Sequence, residues 1–167
     1  MSGDKPSDEG APAKGKRRRK QGRVRQEHVS YLVRPSGWDY HYSFRVSDPK
    51  SRWDPGPFSE LAMLSFEGDV IRPEDSKYKR ATITFSARAG LMEENGSKPP
   101  QSIGMLTASE DGLIAYIFSP DERMAELAAI AQSGRVQIVQ FNATRLRYRS
   151  AVISSISLDT HFDEEEW

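Results

Sequence analysis

The sequence predicts a mainly β protein: an antiparallel small barrel or sandwich of about seven or eight strands, with one α-helix over about residues 120–132, before the last hairpin. Three observations carry that reading. WDYHYSFRV and RATITFSAR alternate apolar and polar residues without a break, the period of a half-buried strand. Turn residues punctuate the apolar runs at short intervals. A complete set of helix start and stop signals occurs once, between Ser119 and Gly134.

The elements follow in order. VSYLVRP reads as a first strand. Pro35-Ser36-Gly37 then suits the loop of a hairpin leading into WDYHYSFRV. In that second strand Trp38, Tyr40, Tyr42, Phe44 and Val46 share one face, opposite Asp39, His41, Ser43 and Arg45. SDPKSRWDPGP has three prolines and no periodicity, so it reads as a long loop. FSELAMLSFEG is apolar on both faces and suits a strand buried on two sides, with a short helix as the alternative. RATITFSAR turns Ala81, Ile83, Phe85 and Ala87 to one side, and MEENGSKPPQ is a polar loop. In SIGMLTASEDGLIAYIFS, Asp111-Gly112 suits a two-residue type I′ turn.

For the helix, Ser119 is the candidate N-cap, Pro120 fits the first position and Glu122 completes a capping box. Met124, Leu127, Ala128 and Ala131 form its apolar face, and Gly134 stops it. RVQIVQF, a turn at Asn142-Ala143, and a last strand from Thr144 to Leu158 complete the chain's ordered part.

The zero net charge conceals a polarised chain. Residues 1–28 hold nine Lys/Arg against four Asp/Glu, a net of +5. Residues 29–158 hold fifteen of each, and residues 159–167 hold five acids and no Lys or Arg. This divides the chain into a basic N-terminal arm (1–28), a single β-rich domain (29–158) and an acidic C-terminal tail (159–167). The arm has too few apolar residues to offset its conformational entropy and is predicted to be disordered. Without cysteine, disulfides, thiolate zinc sites and a cysteine nucleophile are excluded. The polar N-terminus has no signal-peptide h-region, and no run of about 18 apolar residues could span a bilayer. A cytoplasmic protein is the expectation.

Positive charge gathers in two places. Lys14, Lys16, Arg17, Arg18, Arg19, Lys20, Arg23 and Arg25 put eight cations into twelve residues. Phosphates neutralised by such an arm release counterions, giving sequence-independent, salt-sensitive binding. On a strand, Arg145, Arg147 and Arg149 would form a cationic row, and guanidinium forks suit phosphate oxygens. The plain alternative is a solvated sheet face. The aromatic stripe of WDYHYSFRV reads as core rather than as a base-stacking platform. Trp53, in the Pro-rich loop, is the candidate for stacking. The arm lacks the apolar residues of an amphipathic membrane helix, which argues against a membrane partner. The tail, DTHFDEEEW, has the acids and terminal aromatic of a short protein ligand. It could also screen the arm.

Catalysis finds no support. His28, His41 and His161 are far apart and fit no metal-ligand pattern, and there is no G-x-S-x-G, Walker loop or G-x-G-x-x-G. No catalytic residue, metal site or cofactor is expected. Arg19-Lys-Gln-Gly-Arg23 resembles the R-x-x-x-R arm of PilZ domains, which bind cyclic di-GMP. That family also carries D/N-x-S-x-x-G on a following strand, and Asn142-Ala-Thr-Arg, the nearest stretch, has neither serine nor glycine in place. The resemblance covers five residues and assigns no family. The expected function is a non-enzymatic binding domain for nucleic acid or another polyanion. The alternatives are a protein-interaction or assembly module using its charged tails and, further off, a small-molecule or nucleotide sensor.

Overall fold

A computed structural model describes residues 27–47, 56–88 and 102–163. The readings that fall on Lys14 to Arg25, on Trp53, on the polar loop at 92–101 and on the last four residues of the tail lie outside them. The described residues form seven strands: β1 (His28–Val46), β2 (Phe58–Arg72), β3 (Arg80–Arg88), β4 (Gly104–Ala108), β5 (Leu113–Pro120), β6 (Ile138–Thr144) and β7 (Ser150–Asp159). One helix, α1 (Met124–Gln132), follows a 3₁₀ turn at Asp121–Arg123 and precedes the last two strands. The strands close into a barrel in the order β1-β2-β3-β5-β4-β7-β6. The expected fold class is therefore present, and of barrel and sandwich it is the barrel.

Alternation makes the core. Leu64 and Phe66 of β2, Ile83 and Phe85 of β3, Leu106 of β4, Ala115 and Ile117 of β5, Phe141 of β6 and Ile153 of β7 point inward and are buried. Tyr31 lies directly across from Phe141 and stacks on it, with ring centroids 5.0 Å apart. Burial holds its phenol above the usual tyrosine pKa, with the nearby Tyr78 adding to the effect. Met124 and Ala131 are buried and Leu127 packs against the same core, the helix face the spacing predicts. Gly134, at φ +67°, ends the helix in the left-handed conformation that favours glycine.

Several local expectations are corrected. Pro35-Ser36-Gly37 is not a hairpin loop. Pro35 pairs with Gly68 and Gly37 with Glu67, leaving Ser36 as a bulge in one continuous strand. Gly68 makes this possible, because a Cβ there would lie 2.2 Å from the Arg34 carbonyl oxygen. β2 is buried on one face only: Ala62, Leu64 and Phe66 are inside, while Leu61 is exposed. The sheet is not wholly antiparallel, since β3 and β5 run parallel. The chain between Arg88 and Gly104 is long enough to carry β4 past β5, so β5 becomes the neighbour of β3. The β4–β5 turn is centred one residue earlier than expected, on Glu110-Asp111, with Ser109 N–H donating to Gly112 O at 2.8 Å. Ser119 does not cap the helix, and its hydroxyl turns to the Pro120 carbonyl instead.

The largest corrections concern the two ends of the β1 and β6 seam. Asn142-Ala143 is not a turn but lies within β6, where the register with β7 shifts and leaves Ser154 of β7 as the extra residue of a bulge. The true turn falls in the predicted arginine strand. The aromatic stripe of β1 is not core either. Trp38, Tyr40, Tyr42, Phe44 and Val46 share a face with the buried Phe66, Leu64 and Ala62 opposite them, yet remain between 38% and 76% exposed. The cause is the length of β6. Its ladder with β1 runs only from His28 to Val33, so no described strand covers β1 beyond that point.

Candidate polyanion interface

Arg145-Leu-Arg-Tyr-Arg149 is a hairpin tip. Arg147 and Ser150 exchange backbone hydrogen bonds, both 2.9 Å, across the two-residue turn Tyr148-Arg149. Both turn residues have positive φ, +51° and +65°, as a type I′ turn requires. A strand row of three arginines is therefore corrected to three exposed arginines around a turn. The turn throws the Tyr148 side chain wholly into solvent. Leu146 turns back onto the core, and Ala151 and Ile153 continue inward and are buried. Beyond the bulge at Ser154 the parity of β7 changes, which lets Ile156 and Leu158 pack against the core while Val152 stays outside.

The root of the N-terminal arm meets this tip. Arg145 N–H donates to the Glu27 carbonyl at 2.9 Å, and Arg145 Nη1 donates to Glu27 Oε2 at 3.1 Å. Both side chains are largely exposed, so the ion pair is weak, on the order of 0–1 kcal/mol. It orients Arg145 without removing Arg147 or Arg149 from solvent. The reason for the meeting is topological. β1 begins where β6 ends, so the chain enters the barrel beside the β6–β7 turn. The Arg149 carbonyl accepts from Ala108 N–H at 2.9 Å, which ties the tip to β4. The next turn, at the same end, carries Glu110 and Asp111, both exposed.

The acidic tail leaves from the other end. Asp159 pairs with Ile138, and its carbonyl accepts from Gln137 N–H at 2.8 Å. Phe162 then lies under the Arg34 guanidinium, 5.9 Å from ring centre to Cζ. Together with Pro35, Val136 and Gln137 they line an open groove of about 420 Å³.

Other chemistry is sparse. Among the described residues no group of three or more His, Asp or Glu side chains could hold a metal. Asp39, His41 and Ser43 stand in a row on the exposed side of β1, facing Ser65, Met63 and Leu61 of β2. An open groove of about 390 Å³ beside Arg80 is lined by Glu67, Thr82, Ser109 and Asp111. None of these gathers a nucleophile, a base and an orienting group. No helix among the described residues is long and apolar enough to cross a membrane.

Of the predicted site residues, the structure brings Arg145, Arg147 and Arg149 to one tip and sets that tip against the arm's point of attachment. It adds Tyr148, which stands between Arg147 and Arg149 at the head of the turn. No Gly or Asn marks this turn, so the usual sequence signal was absent. No protein-family model, curated protein or solved structure matches this chain.

Proposed function

We propose that this chain is a non-enzymatic cytoplasmic domain that binds nucleic acid or a similar polyanion, held between the basic arm and the β6–β7 tip. The observation that carries the reading is the hydrogen-bonded join between Glu27 and Arg145, which roots the arm beside Arg147 and Arg149. The twelve residues from Lys14 to Arg25 can extend up to about 40 Å, enough to follow a polyanion well beyond the tip. The tip contributes two guanidinium forks on a hydrogen-bonded turn and, absent from the arm's sequence, an outward aromatic ring, Tyr148, on which a base can stack. Arm charge gives affinity without sequence preference, and the tip gives a fixed footing.

The test is a salt titration of the full chain with a fluorescent single-stranded oligonucleotide, followed by anisotropy. The logarithm of the binding constant should fall with the logarithm of salt concentration, by about 0.7 for each phosphate neutralised on a single strand. Removing residues 1–25 should flatten that slope by several units. The double substitution Arg147→Ala, Arg149→Ala should lower it by one to two. Absent binding at about 50 mM salt, or a slope that deletion of the arm leaves unchanged, rejects the proposal.

A further inference from the structure

The open side of β1 presents an exposed apolar run that no described strand borders. From Gly37 to Val46 the β1–β2 ladder has no irregularity, and it continues to Ser47, whose N–H donates to Pro57 O at 3.0 Å. Antiparallel ladders alternate, so the odd residues of this run turn their backbone groups to β2. The even residues, Trp38, Tyr40, Tyr42, Phe44 and Val46, turn theirs to the edge that no described strand borders. The same five residues carry the half-exposed apolar face. Phe44 extends it by stacking on Phe58, with centroids 5.3 Å apart. Such an edge, long and apolar, is a template for another strand.

We propose that this edge pairs antiparallel with β1 of a second copy, about a two-fold axis through Tyr42. Three registers near the middle of the strand pair even residues with even ones, and only one matches charge. Centred on His41, Arg45 faces Gly37. Centred on Ser43, Arg45 faces His41. Centred on Tyr42, Asp39 faces Arg45 twice by symmetry, while Trp38 faces Val46, Tyr40 faces Phe44 and Tyr42 meets itself. Opposite charges and aromatic pairs directly across a ladder are each favourable, and a two-fold interface must be complementary to itself in this way. Arg45 also has a partner within its own chain, so Asp39 is the cleaner handle on the ion pair. At 150–250 Å² per buried aromatic, the half-exposed stripe offers on the order of 500 Å² per copy. Interfaces of standard size use about 800 Å² per partner, so association should be of modest affinity.

Sedimentation velocity on nuclease-treated full-length chain, at roughly 5–200 µM, tests this. Salt of about 0.3 M keeps carried-over polyanion from bridging copies. The mass should rise from 18.8 kDa toward twice that value. Tyr42→Pro removes a donor from the open edge alone and should leave a monomer with an unchanged circular dichroism spectrum. Tyr42→Lys, which places a charge on the apolar face without touching the backbone, should do the same. Asp39→Arg or Arg45→Asp should each weaken association several-fold, and the double exchange should restore it. A wild-type chain that stays monomeric throughout overturns the proposal, as it would if residues 48–55 or another segment of the same chain occupied the stripe. A dimer indifferent to both Tyr42 substitutions, or a charge exchange that fails to recover, overturns it equally. Oligonucleotide binding by the Tyr42 variants at low salt would be retained in either case, which separates this result from failure of the polyanion reading.

Discussion

Tyr148 and Arg149 occupy backbone conformations that suit neither. For an L-residue with a Cβ the left-handed region costs roughly 1–2 kcal/mol, and the turn between β6 and β7 places two such residues in succession. Asn-Gly would accept the same turn with little strain. What the present pair supplies instead is chemistry: an aromatic ring with no surrounding protein and a guanidinium beside it. Replacing Tyr148→Asn together with Arg149→Gly should therefore act in opposite directions on two measurements. Stability against urea should rise, by about 1–3 kcal/mol in the extrapolated free energy. Oligonucleotide affinity should fall, because a stacking ring and a charge are gone. A more stable protein with undiminished affinity would remove the tip from the binding surface.

At the scale of the element, β1 explains both what was legible in the sequence and what was not. Its alternation is visible in the sequence, as are the inward faces of β3 and the helix, because period depends on local sequence alone. The partner of each face depends on distant residues. Nothing in WDYHYSFRV reveals that β6 stops opposite Val33, so an aromatic stripe that pattern assigns to the core is left half-exposed. Turn residues misled for a related reason. Pro35-Ser36-Gly37 can serve a loop or a bulge, and Gly68, on the neighbouring strand, decides which. Its missing Cβ admits the Arg34 and Pro35 backbone. Gly68→Ala must push the two strands apart against main-chain atoms that cannot rotate away, and should cost about 1–3 kcal/mol in chemical denaturation. Gly134→Ala is the control. Its Cβ would meet nothing within 4 Å, so it carries only the left-handed backbone cost of about 1 kcal/mol. If the two substitutions proved equally mild, the close approach at the bulge would not be what keeps β1 continuous.

For the whole molecule the governing feature is polarity along the barrel. The basic arm joins at the end that carries the β6–β7 tip, and Asp159 leaves at the other. With Phe162 set against Arg34, the five residues that follow it can reach at most about 18 Å. The tail's four remaining acids, Asp163 to Glu166, therefore act on the tip chiefly through space, and salt sets how far that action extends. The Debye length is about 30 Å at 0.01 M and about 8 Å at 0.15 M. Screening of the cationic tip and arm by the tail should accordingly operate at the first concentration and nearly vanish at the second. Deleting residues 163–167 should tighten oligonucleotide binding at 0.01 M salt, and the difference from the full chain should close as salt approaches 0.15 M. The measurement is a pair of anisotropy titrations at each concentration. Equal affinities at low salt would deny the tail any electrostatic influence on the site. A difference that persists at 0.15 M would mean direct contact between tail and tip, which the path of the chain past Arg34 argues against.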